Sequence, residues 1–591
     1  MYRAPVEDIT FTLNHIAGLD AEIQAARLGD LSDDLVDAIL TEAGRFASEE
    51  VTPLHKIGDQ QGARLKGAEV TTPDGWRELY KRWIDGGWNA LTAPEEFGGQ
   101  GLPSMLGVAA IEMWNSASMA FGLGPTLTMG AVDALEKHAS DDLKKKYLAK
   151  LVSGEWMGTM NLTEPQAGSD LAALRSRAER ADDGTYRIFG QKIFITYGEH
   201  DFTDNIVHLV LARLPDAPEG TRGISLFLVP KFMVGEDGSL GARNDVFCAS
   251  LEHKLGIHAS PTCTMIYGDD FTKTGKPGAI GWLIGEENRG LACMFTMMNN
   301  ARLAVGMQGV AIAETAYQMA LAFANERRQG KAASYSGTGM APIVYHPDVQ
   351  RNLLTMKALT SASRAISYSC AHATDRARLG EEDASHWQGR ANLLTPVAKA
   401  FSTDVGVDVA SLGVQVHGGM GFIEETGAAS LYRDARIAPI YEGTNGIQAI
   451  DLVMRKLPQS KGEHVHGYIA ELSAIAVQVR NSNLEGWGRT GAALEAALSD
   501  LTEATNFMQE QVADGKSEQA LAGATPYLRL FALASGGVYL AKGALSEKST
   551  KRVALARFFS ENLVAETAAL KDRVINGAES LSAAARDLVI A

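Results

Sequence analysis

The residues with the clearest chemical potential form one short segment, Tyr441-Glu442-Gly443-Thr444. The glutamate follows an apolar run, and the glycine after it can adopt backbone conformations that are closed to most residues. Thr444 or Asn445 can cap a helix that the pattern predicts at residues 447–456. A carboxylate at the start of a helix, with Ile440 and Tyr441 behind it, suits a partly desolvated general base. An ordinary glutamate in a turn is the alternative that this segment alone leaves open.

Two further segments lie before and within a predicted run of strands. Leu162-Thr163-Glu164-Pro165-Gln166-Ala167-Gly168-Ser169-Asp170 offers backbone N–H groups around Gly168 and Ser169 that can hold an oxygen-rich ligand. Residues 192–198, which include Phe194 and Thr196, end a strand and expose a hydroxyl beside an aromatic ring, as a wall for a flat ligand would. Taken alone, a plain turn explains the first segment equally well, and a hairpin edge explains the second better.

Two predicted helix ends also carry groups that suit phosphate oxygens. Residues 325–330 include Arg327 and Gln329, and the planar fork of a guanidinium donates to phosphate in a bidentate way. A solvated last turn whose charges complement the helix dipole is the alternative. The second end, at Gln415, runs into the glycine pair Gly418-Gly419, where the backbone can approach a ligand closely.

The hydrophobic periodicity predicts the elements that would position these segments. Helical spacing dominates residues 30–155, and short apolar runs without helices between them predict a small β-barrel or sandwich. The strands are predicted at 186–189, 192–196, 206–212, 223–229 and 262–267. Further helices are predicted at 301–328, 349–378, 391–416, 468–481, 491–515, 527–544 and 551–574, with a linker-like break at 458–463.

Composition excludes several classes of function. A net charge of −16 argues against nucleic acid or an anionic membrane as the main partner. No stretch reaches membrane-spanning length, and the first twenty residues lack the apolar core of a secretory signal. The four cysteines lack metal spacing and are too few for a disulfide scaffold, so we expect no metal site and a cytoplasmic location. No G-x-G-x-x-G follows a predicted strand, so a Rossmann-type dinucleotide site is unsupported.

Taken together, the segments resemble the acyl-CoA dehydrogenase family over roughly residues 30 to 455. The matching elements, in the order found in that family, are Leu162-Thr163-Glu164-Pro165-x-Ala167-Gly168-Ser169-Asp170, the strand at 192–198, Arg302, Glu326-Arg327-x-Gln329, Gln415-x-x-Gly418-Gly419-x-Gly421 and Tyr441-Glu442-Gly443-Thr444. The opening Tyr2-Arg3-Ala4-Pro5 and the extra C-terminal block resemble a longer bacterial branch, which includes the 3-(methylthio)propanoyl-CoA dehydrogenases of dimethylsulfoniopropionate breakdown.

The resemblance implies a mostly α-helical fold with a middle β-domain and a C-terminal helical extension. The expected domains are an N-terminal helical domain (1–155), the β-domain (156–285), a helical bundle carrying Glu442 (286–457) and the extension (458–591). It also implies FAD as cofactor, with Glu442 removing the α-proton of an acyl-CoA thioester while hydride passes from the β-carbon to the flavin, giving a trans-2-enoyl-CoA. In the family, the backbone N–H of this glutamate helps to hold the thioester carbonyl.

Other roles transfer from the family position by position. The FAD contacts implied are Leu162, Thr163, Ser169, Phe194, Thr196 and Thr444, with Arg327, Gln329, Gln415, Gly418 and Gly419 reaching the FAD of a partner subunit. The substrate contacts implied are Ser169 near the CoA arm, Arg302 near its adenosine end, and Tyr441 and Gly443 beside the base.

The sequence also departs from the family pattern at four places. Phe194 replaces a common Trp, Gly330 replaces a common Phe, and Asn299 stands where Asp is frequent. Asn445-Gly446 replaces a more usual Ser or Ala followed by Gln, which puts one FAD contact in question.

We expect a homodimer formed through the C-terminal block that passes electrons to electron-transferring flavoprotein. Three alternatives stay open at this stage. They are a medium- or long-chain fatty acyl-CoA dehydrogenase of β-oxidation, an acyl-CoA oxidase that uses O₂, and a non-catalytic acyl-CoA-binding protein.

Overall fold

The computed structural model describes residues 2–482 and 484–590. Apart from short 3-10 and π turns, its helices are α1 (Val6–Phe11), α2 (Leu19–Gln24), α3 (Asp33–Arg45), α4 (Thr52–Gln61), α5 (Trp76–Asp85), α6 (Ser104–His138), α7 (Asp141–Ser153), α8 (Gly290–Glu326), α9 (Pro347–Arg378), α10 (Ala384–His417), α11 (Ala428–Ala435), α12 (Asn445–Asp451), α13 (Glu463–Asn481), α14 (Thr490–Ala513), α15 (Ser517–Ala522), α16 (Ala524–Glu547), α17 (Thr550–Asn562) and α18 (Thr567–Leu588). Its strands are β1 (Arg64–Lys66), β2 (Glu69–Thr71), β3 (Met157–Asn161), β4 (Arg177–Arg180), β5 (Tyr186–Thr196), β6 (Ile206–Arg213), β7 (Ile224–Pro230), β8 (Phe232–Val234), β9 (Leu240–Arg243), β10 (Val246–Leu251), β11 (Thr262–Tyr267) and β12 (Ala279–Ile284).

The chain packs into two compact units. The first, called the helical unit below, comprises Met1–Gly44, Ser104–Ser116 and Arg302–Ala591. The second, called the mixed unit, comprises Arg45–Pro103 and Ala117–Ala301 and contains the strands. Helix α6 loses helical geometry at Ser118, next to a boundary between the units. The predicted division into four domains uses other boundaries, since residues 1–155 are shared between the two units, and it stays a prediction.

The core of the mixed unit is a sheet with the strand order β10-β11-β5-β12-β7-β6-β3, on which β4 also pairs with β5 and β6. Strands β6 and β7 are buried along nearly their whole length because both faces of the sheet are covered. On β6, Val207, Leu209 and Leu211 join one apolar cluster, while Val210 and Ala212 join another. This two-residue alternation explains why the strand appears in the sequence as an unbroken apolar run.

Strand β5 corrects one prediction, because residues 186–189 and 192–196 form a single strand. Gly190 lies where β5 changes partners, from β4 and β12 to β11. Its φ of 136° and its close approach to Ser176, whose Oγ would lie 2.5 Å from an added Cβ, require a glycine there. The glycine therefore bends the strand without ending it.

The helical unit is built on the long helices α8, α9 and α10. The buried guanidinium of Arg364 on α9 donates to Glu112 on α6 at 2.6 Å and to Glu314 on α8 at 2.8 Å. The C-terminal helix α16 packs against α9, α10 and α12, so the C-terminal block belongs to the same compact unit.

The predicted helix at 551–574 is wrong in one respect, since a 3-10 turn at Val564–Glu566 separates α17 from α18. A 3-10 turn keeps nearly the same spacing of apolar side chains as an α-helix, so the sequence pattern continued across the break. In the part of the chain that the structure describes, no helix is long and apolar enough to span a bilayer.

Candidate active site

Glu442 lies in a strained turn between α11 and α12. Its φ is 55° and that of Gly443 is 83°, so two consecutive residues have left-handed backbone conformations. This region is unfavourable for a glutamate, and such strain is commonly found at functional sites. Thr444 caps α12, as predicted, by accepting a hydrogen bond from the Ile447 N–H at 3.2 Å. The turn thus presents Glu442 immediately before a helix start.

Polar side chains from two long helices and from α12 hold this turn. Lys399 on α10 donates from Nζ to the Gly443 carbonyl at 2.8 Å and to Asn445 Oδ1 at 2.9 Å. Gln448 on α12 donates to the Glu442 carbonyl at 3.1 Å. On the preceding side, the Tyr441 hydroxyl donates to Gln308 on α8. The backbone on both sides of the carboxylate is therefore fixed.

The Glu442 carboxylate, unlike the backbone around it, has no hydrogen-bond partner among the described residues, and burial and nearby charges determine its pKa. It forms no hydrogen bond or ion pair within the described residues, and burial raises its pKa above the ordinary value for a glutamate. The nearby cations of Arg302 and Lys399 oppose that rise. A carboxylate with a raised pKa and unoccupied oxygens has the properties of a general base.

Arg302 is 7% exposed and lies beside this carboxylate, with Nη1 3.6 Å from Asp451 Oδ2 on α12. Lys399 is fully buried, and burial lowers its pKa to about 7 even though the charges of Glu442 and Asp404 favour the ammonium. The Glu442 carboxylate therefore lies near two cations, and burial lowers the pKa of each of them. The expected contact of Arg302 with the CoA adenosine stays a prediction, while its observed place favours an electrostatic role.

A buried ion pair joins the two predicted flavin-contact segments of the mixed unit. Lys192 on β5 donates from Nζ to Glu164 Oε1 at 2.8 Å and to the Leu162 carbonyl at 3.0 Å. Its neighbour Ile193 donates its N–H to the Thr163 carbonyl at 2.9 Å. The Lys192 charge holds the pKa of Glu164 at about 2, well below its usual range. Segments that are 30 residues apart in sequence are thus bound side by side.

The surface that this pair organises fits a flat aromatic ligand. Phe194 has a φ of 60° and lies at a bulge in β5, where the pairing with β11 shifts, and the residue is 57% exposed. An exposed aromatic ring is available for stacking. Leu162, Thr163 and Thr196 are partly exposed nearby in the fold, and Ser169 is exposed. These features suit an isoalloxazine ring and its oxygen-rich tail.

A third cluster of predicted site residues lies at the ends of α8 and α10 in the helical unit. The rings of Phe323 and His417 lie 4.6 Å apart and join the two helix ends. The predicted residues at these ends are all exposed, namely Arg327, Gln329, Gln415, Gly418 and Gly419. The following turn exposes 51% of Met420, 86% of Phe422 and 45% of Ile423. This cluster is an open surface with a large apolar part.

Comparison with known proteins gives the same picture over the whole chain. Profiles described as the N-terminal, middle and C-terminal domains of acyl-CoA dehydrogenase match residues 34–155, 159–269 and 288–457, and one described as acetyl-CoA dehydrogenase C-terminal like matches 466–585. A protein of Ruegeria pomeroyi named 3-methylmercaptopropionyl-CoA dehydrogenase is 46% identical, with 98% of this chain and 99% of the relative covered. This chain belongs to the acyl-CoA dehydrogenase family.

Solved structures of the family share the fold of this acyl-CoA dehydrogenase. Caenorhabditis elegans ACDH-11, in complex with C11-CoA, has a TM-score of 0.77 at 20% identity and covers 97% of this chain, with 95% of its own length covered. A Bacillus anthracis acyl-CoA dehydrogenase complexed with FAD has a TM-score of 0.73 at 21% identity, with coverage of 96% and 93%. The predicted fold class, enzyme class and FAD cofactor are confirmed, whereas the roles of individual residues stay predictions.

Several positioning residues escaped the sequence reasoning. Lys399 and Gln448 hold the Glu442 turn, and the Lys192–Glu164 pair joins the segments around Leu162 and Phe194. A weak signal existed for Lys399, because it is the only ionisable side chain in the apolar stretch 391–403 of a predicted helix. Such a lone lysine is either solvent-facing or paired inside, and only the packing distinguishes the two.

Proposed function

We propose that this acyl-CoA dehydrogenase oxidises 3-(methylthio)propanoyl-CoA to its trans-2-enoyl thioester, with Glu442 as the base. The observation that carries the proposal is the Glu442 carboxylate, which has a raised pKa and no hydrogen-bond partner among the described residues. The substrate rests on the relative named 3-methylmercaptopropionyl-CoA dehydrogenase, which aligns with nearly the full chain at 46% identity.

The reaction needs a base and a means to stabilise charge on the thioester oxygen, because an α-proton of a thioester is weakly acidic. Glu442 takes that proton, and the raised pKa of its carboxylate improves the match between base and acid. The N–H of Glu442 donates to no backbone carbonyl in the described chain, so it is available to the thioester oxygen. FAD, when bound, supplies the acceptor for the hydride that leaves the β-carbon. The family's carbonyl-binding role for this N–H is therefore compatible with the observed turn.

For the cofactor, we propose that Leu162, Thr163, Phe194 and Thr196 contact the flavin ring, and that Ser169 and Thr444 contact its phosphates. The exposed ring of Phe194 and the adjacent hydroxyls support the first part. Although the Thr444 oxygen accepts from Ile447, its hydroxyl hydrogen remains able to donate to a phosphate oxygen.

We further propose that the chain forms a homodimer in which Arg327, Gln329, Gln415, Gly418 and Gly419 reach the FAD of the partner. Their exposure, together with that of Phe422 at 86%, supports this assignment because an apolar patch beside phosphate-binding groups favours coverage by another chain. Membership of the acyl-CoA dehydrogenase family supports electron-transferring flavoprotein as the proposed electron acceptor. A cytoplasmic location is part of the same proposal, supported by Cys248, Cys263, Cys293 and Cys370, which are free and buried.

The test of the base is Glu442→Gln in the purified holoenzyme. The variant keeps its shape and its FAD but loses bleaching of the flavin by acyl-CoA, by about 100- to 10,000-fold or more in rate, as expected for the loss of a general base. Glu579→Gln on the exposed face of α18 serves as control and bleaches normally. Bleaching by Glu442→Gln at the wild-type rate refutes the assignment.

The substrate is tested with a panel of acyl-CoA thioesters of graded length, including the methylthio compound, and an artificial electron acceptor. The proposal expects the highest kcat/KM for 3-(methylthio)propanoyl-CoA. A maximum at a medium or long straight chain instead assigns the enzyme to β-oxidation. Rapid peroxide formation from substrate without added acceptor identifies an oxidase, and a colourless protein that does not take up FAD identifies a binding protein.

A further inference from the structure

The side chain of Asn445 connects the Glu442 turn to α10. Its Oδ1 accepts from Lys399 Nζ at 2.9 Å and from the Thr403 hydroxyl at 3.2 Å. Its Nδ2 donates to Asp404 Oδ1 at 2.7 Å and to the Ala400 carbonyl at 3.1 Å. The amide thus uses both ends on one helix turn, which fixes its orientation.

Lys399 completes the connection from the opposite side. Its ammonium is fully buried and donates to Gly443 O and to Asn445 Oδ1, both neutral oxygens. Burying an ammonium without a carboxylate in contact is costly, and these two hydrogen bonds offset part of that cost. The acceptor carbonyl belongs to the residue directly after Glu442, in the left-handed turn.

We infer that Lys399 and Asn445 form a clamp that positions the Glu442–Gly443 turn and sets the charge around the base. This inference rests on the proposed role of Glu442. Both are positioning residues, since they act through the turn and through the field at the carboxylate. A Ser or Ala side chain at position 445 would lack the amide that bridges Lys399 and Asp404.

The charged groups around the turn determine how the clamp affects the pKa of Glu442. Glu442 is faced by Arg302 from α8 and by Lys399 from α10, and both favour its charged form. Lys399 is faced in turn by Glu442, Asp404 and Arg302. Asp451 lies against Arg302 and offsets part of that charge. Lys399 is therefore the cation that lacks a carboxylate in contact, and its removal raises the pKa of Glu442 further.

The experiment compares Lys399→Met with Lys542→Met in the FAD-loaded enzyme. Lys542 is a matched control, since it is a largely buried lysine on α16 that donates to the carbonyl of Ile16 at 2.7 Å, outside the site. Bleaching by acyl-CoA in a single turnover is followed against pH, together with FAD content and affinity for a non-reducible acyl-CoA analogue.

We expect Lys399→Met to slow bleaching at least about tenfold and to move the half-maximal rate upward by roughly half a pH unit or more, because the base loses a nearby cation. FAD content and analogue affinity stay close to wild type, and Lys542→Met changes neither rate nor pH profile. Asn445→Ser, which keeps the lysine and shortens the bridge, slows bleaching by a smaller factor and provides a second variant should Lys399→Met fold poorly.

Wild-type rate and pH profile in Asn445→Ser together with an unshifted profile in Lys399→Met overturn the clamp. So does loss of FAD or of thermal stability with an unchanged pH profile, since that marks a purely structural role. The Glu442→Gln variant distinguishes failure of the proposed base from failure of the clamp. If it bleaches normally, the proposed base fails whatever the lysine variants do, and if it is inactive while the lysine variants are normal, only the clamp fails.

Discussion

Two buried lysines, one in each unit, lie beside glutamates in different ways: one forms a salt bridge, and the other lies near the carboxylate that we propose as the base. Lys192 and Lys399 are both fully buried, and each donates to a backbone carbonyl of a predicted site segment. Lys192 contacts the carboxylate of Glu164 at 2.8 Å, whereas the hydrogen bonds of Lys399 go to neutral oxygens. The two lysines therefore differ in whether the ammonium forms a salt bridge with a glutamate.

The consequence is visible in the two glutamates. The pKa of Glu164 is held at about 2 by the charge and hydrogen bond of Lys192, against the effect of burial, so this carboxylate is a permanent anion and a poor base. The pKa of Glu442 is raised by burial, with cations nearby but none in contact. Keeping a cation close without pairing leaves a carboxylate both ionisable and available.

The largest expected effect comes from Lys192→Met, which leaves Glu164 charged, buried and unpaired. We expect a loss of roughly 3–5 kcal/mol in the free energy of unfolding. Lys399→Met removes one hydrogen-bond donor from each of two neutral acceptors, and we expect it to cost only about 1–3 kcal/mol. Chemical denaturation of the two variants measures both values.

The double variant Lys192→Met/Glu164→Gln provides the control for that prediction. It removes both charges, and the single amide oxygen of Gln can still accept from one of the N–H groups of Arg175 and Ser176, which now bond to different oxygens of Glu164. The double variant should recover at least about 1 kcal/mol relative to Lys192→Met alone. Equal losses in the single and double variants contradict the view that an unpaired charge is the cause.

The next effect concerns the strained turn. Gly443 has a φ of 83°, and an added Cβ would lie 2.7 Å from Gln448 Nε2. Gly443→Ala should cost about 1–3 kcal/mol and slow flavin bleaching at least about tenfold, because the turn that carries the base must shift. Gly577→Ala on α18, where the added Cβ meets open space, is the matched control. An unimpaired rate in Gly443→Ala shows that the left-handed turn is dispensable.

Because the pKa values of the two glutamates are shifted in opposite directions, we expect the bleaching rate and the folded structure to be lost at different pH values as the pH falls. If Glu442 is the base, as we propose, activity is lost as pH falls through the raised pKa of its carboxylate, above the usual 4.5. Glu164 has a folded-state pKa of about 2, so its stabilisation is complete above 4.5 and is lost only between about 4.5 and 2. Bleaching rate and circular dichroism, recorded over the same pH series, should separate. Coincident transitions argue against distinct roles for the two groups.

The smallest effect is a gain in stability in Glu442→Gln. Because the folded-state pKa of Glu442 is raised, its contribution to stability is full at low pH and declines as pH rises through that pKa. A neutral amide avoids this decline, so the variant should be more stable than wild type at pH 8, by less than about 1 kcal/mol, and equal to it near pH 4. Thermal unfolding at the two pH values measures this, and a variant that is less stable at pH 8 contradicts it.

Much of the secondary structure was predictable because local periodicity fixes it. The helices near 301–328 and 349–378 and the strands β6, β7 and β11 occur where the apolar pattern placed them. The errors fell where a local signal has two meanings. The sequence pattern predicts a strand boundary at Gly190, which lies within the single strand β5, and the apolar spacing of α17 and α18 conceals the turn between them.

By itself, the sequence determined the chemical groups and their order, namely a glutamate before a glycine, a capping threonine, arginines at a helix end, and together the family to which the chain belongs. It could not determine which glutamate is paired. Glu164 meets a lysine 28 residues away, and the residue after Glu442 meets one 44 residues away, so both outcomes depend on packing between distant segments. Only the tertiary structure sets the distance between each lysine and the nearby glutamate. This distance and the burial of the carboxylate together determine its pKa, and so whether it suits a structural salt bridge or a general base.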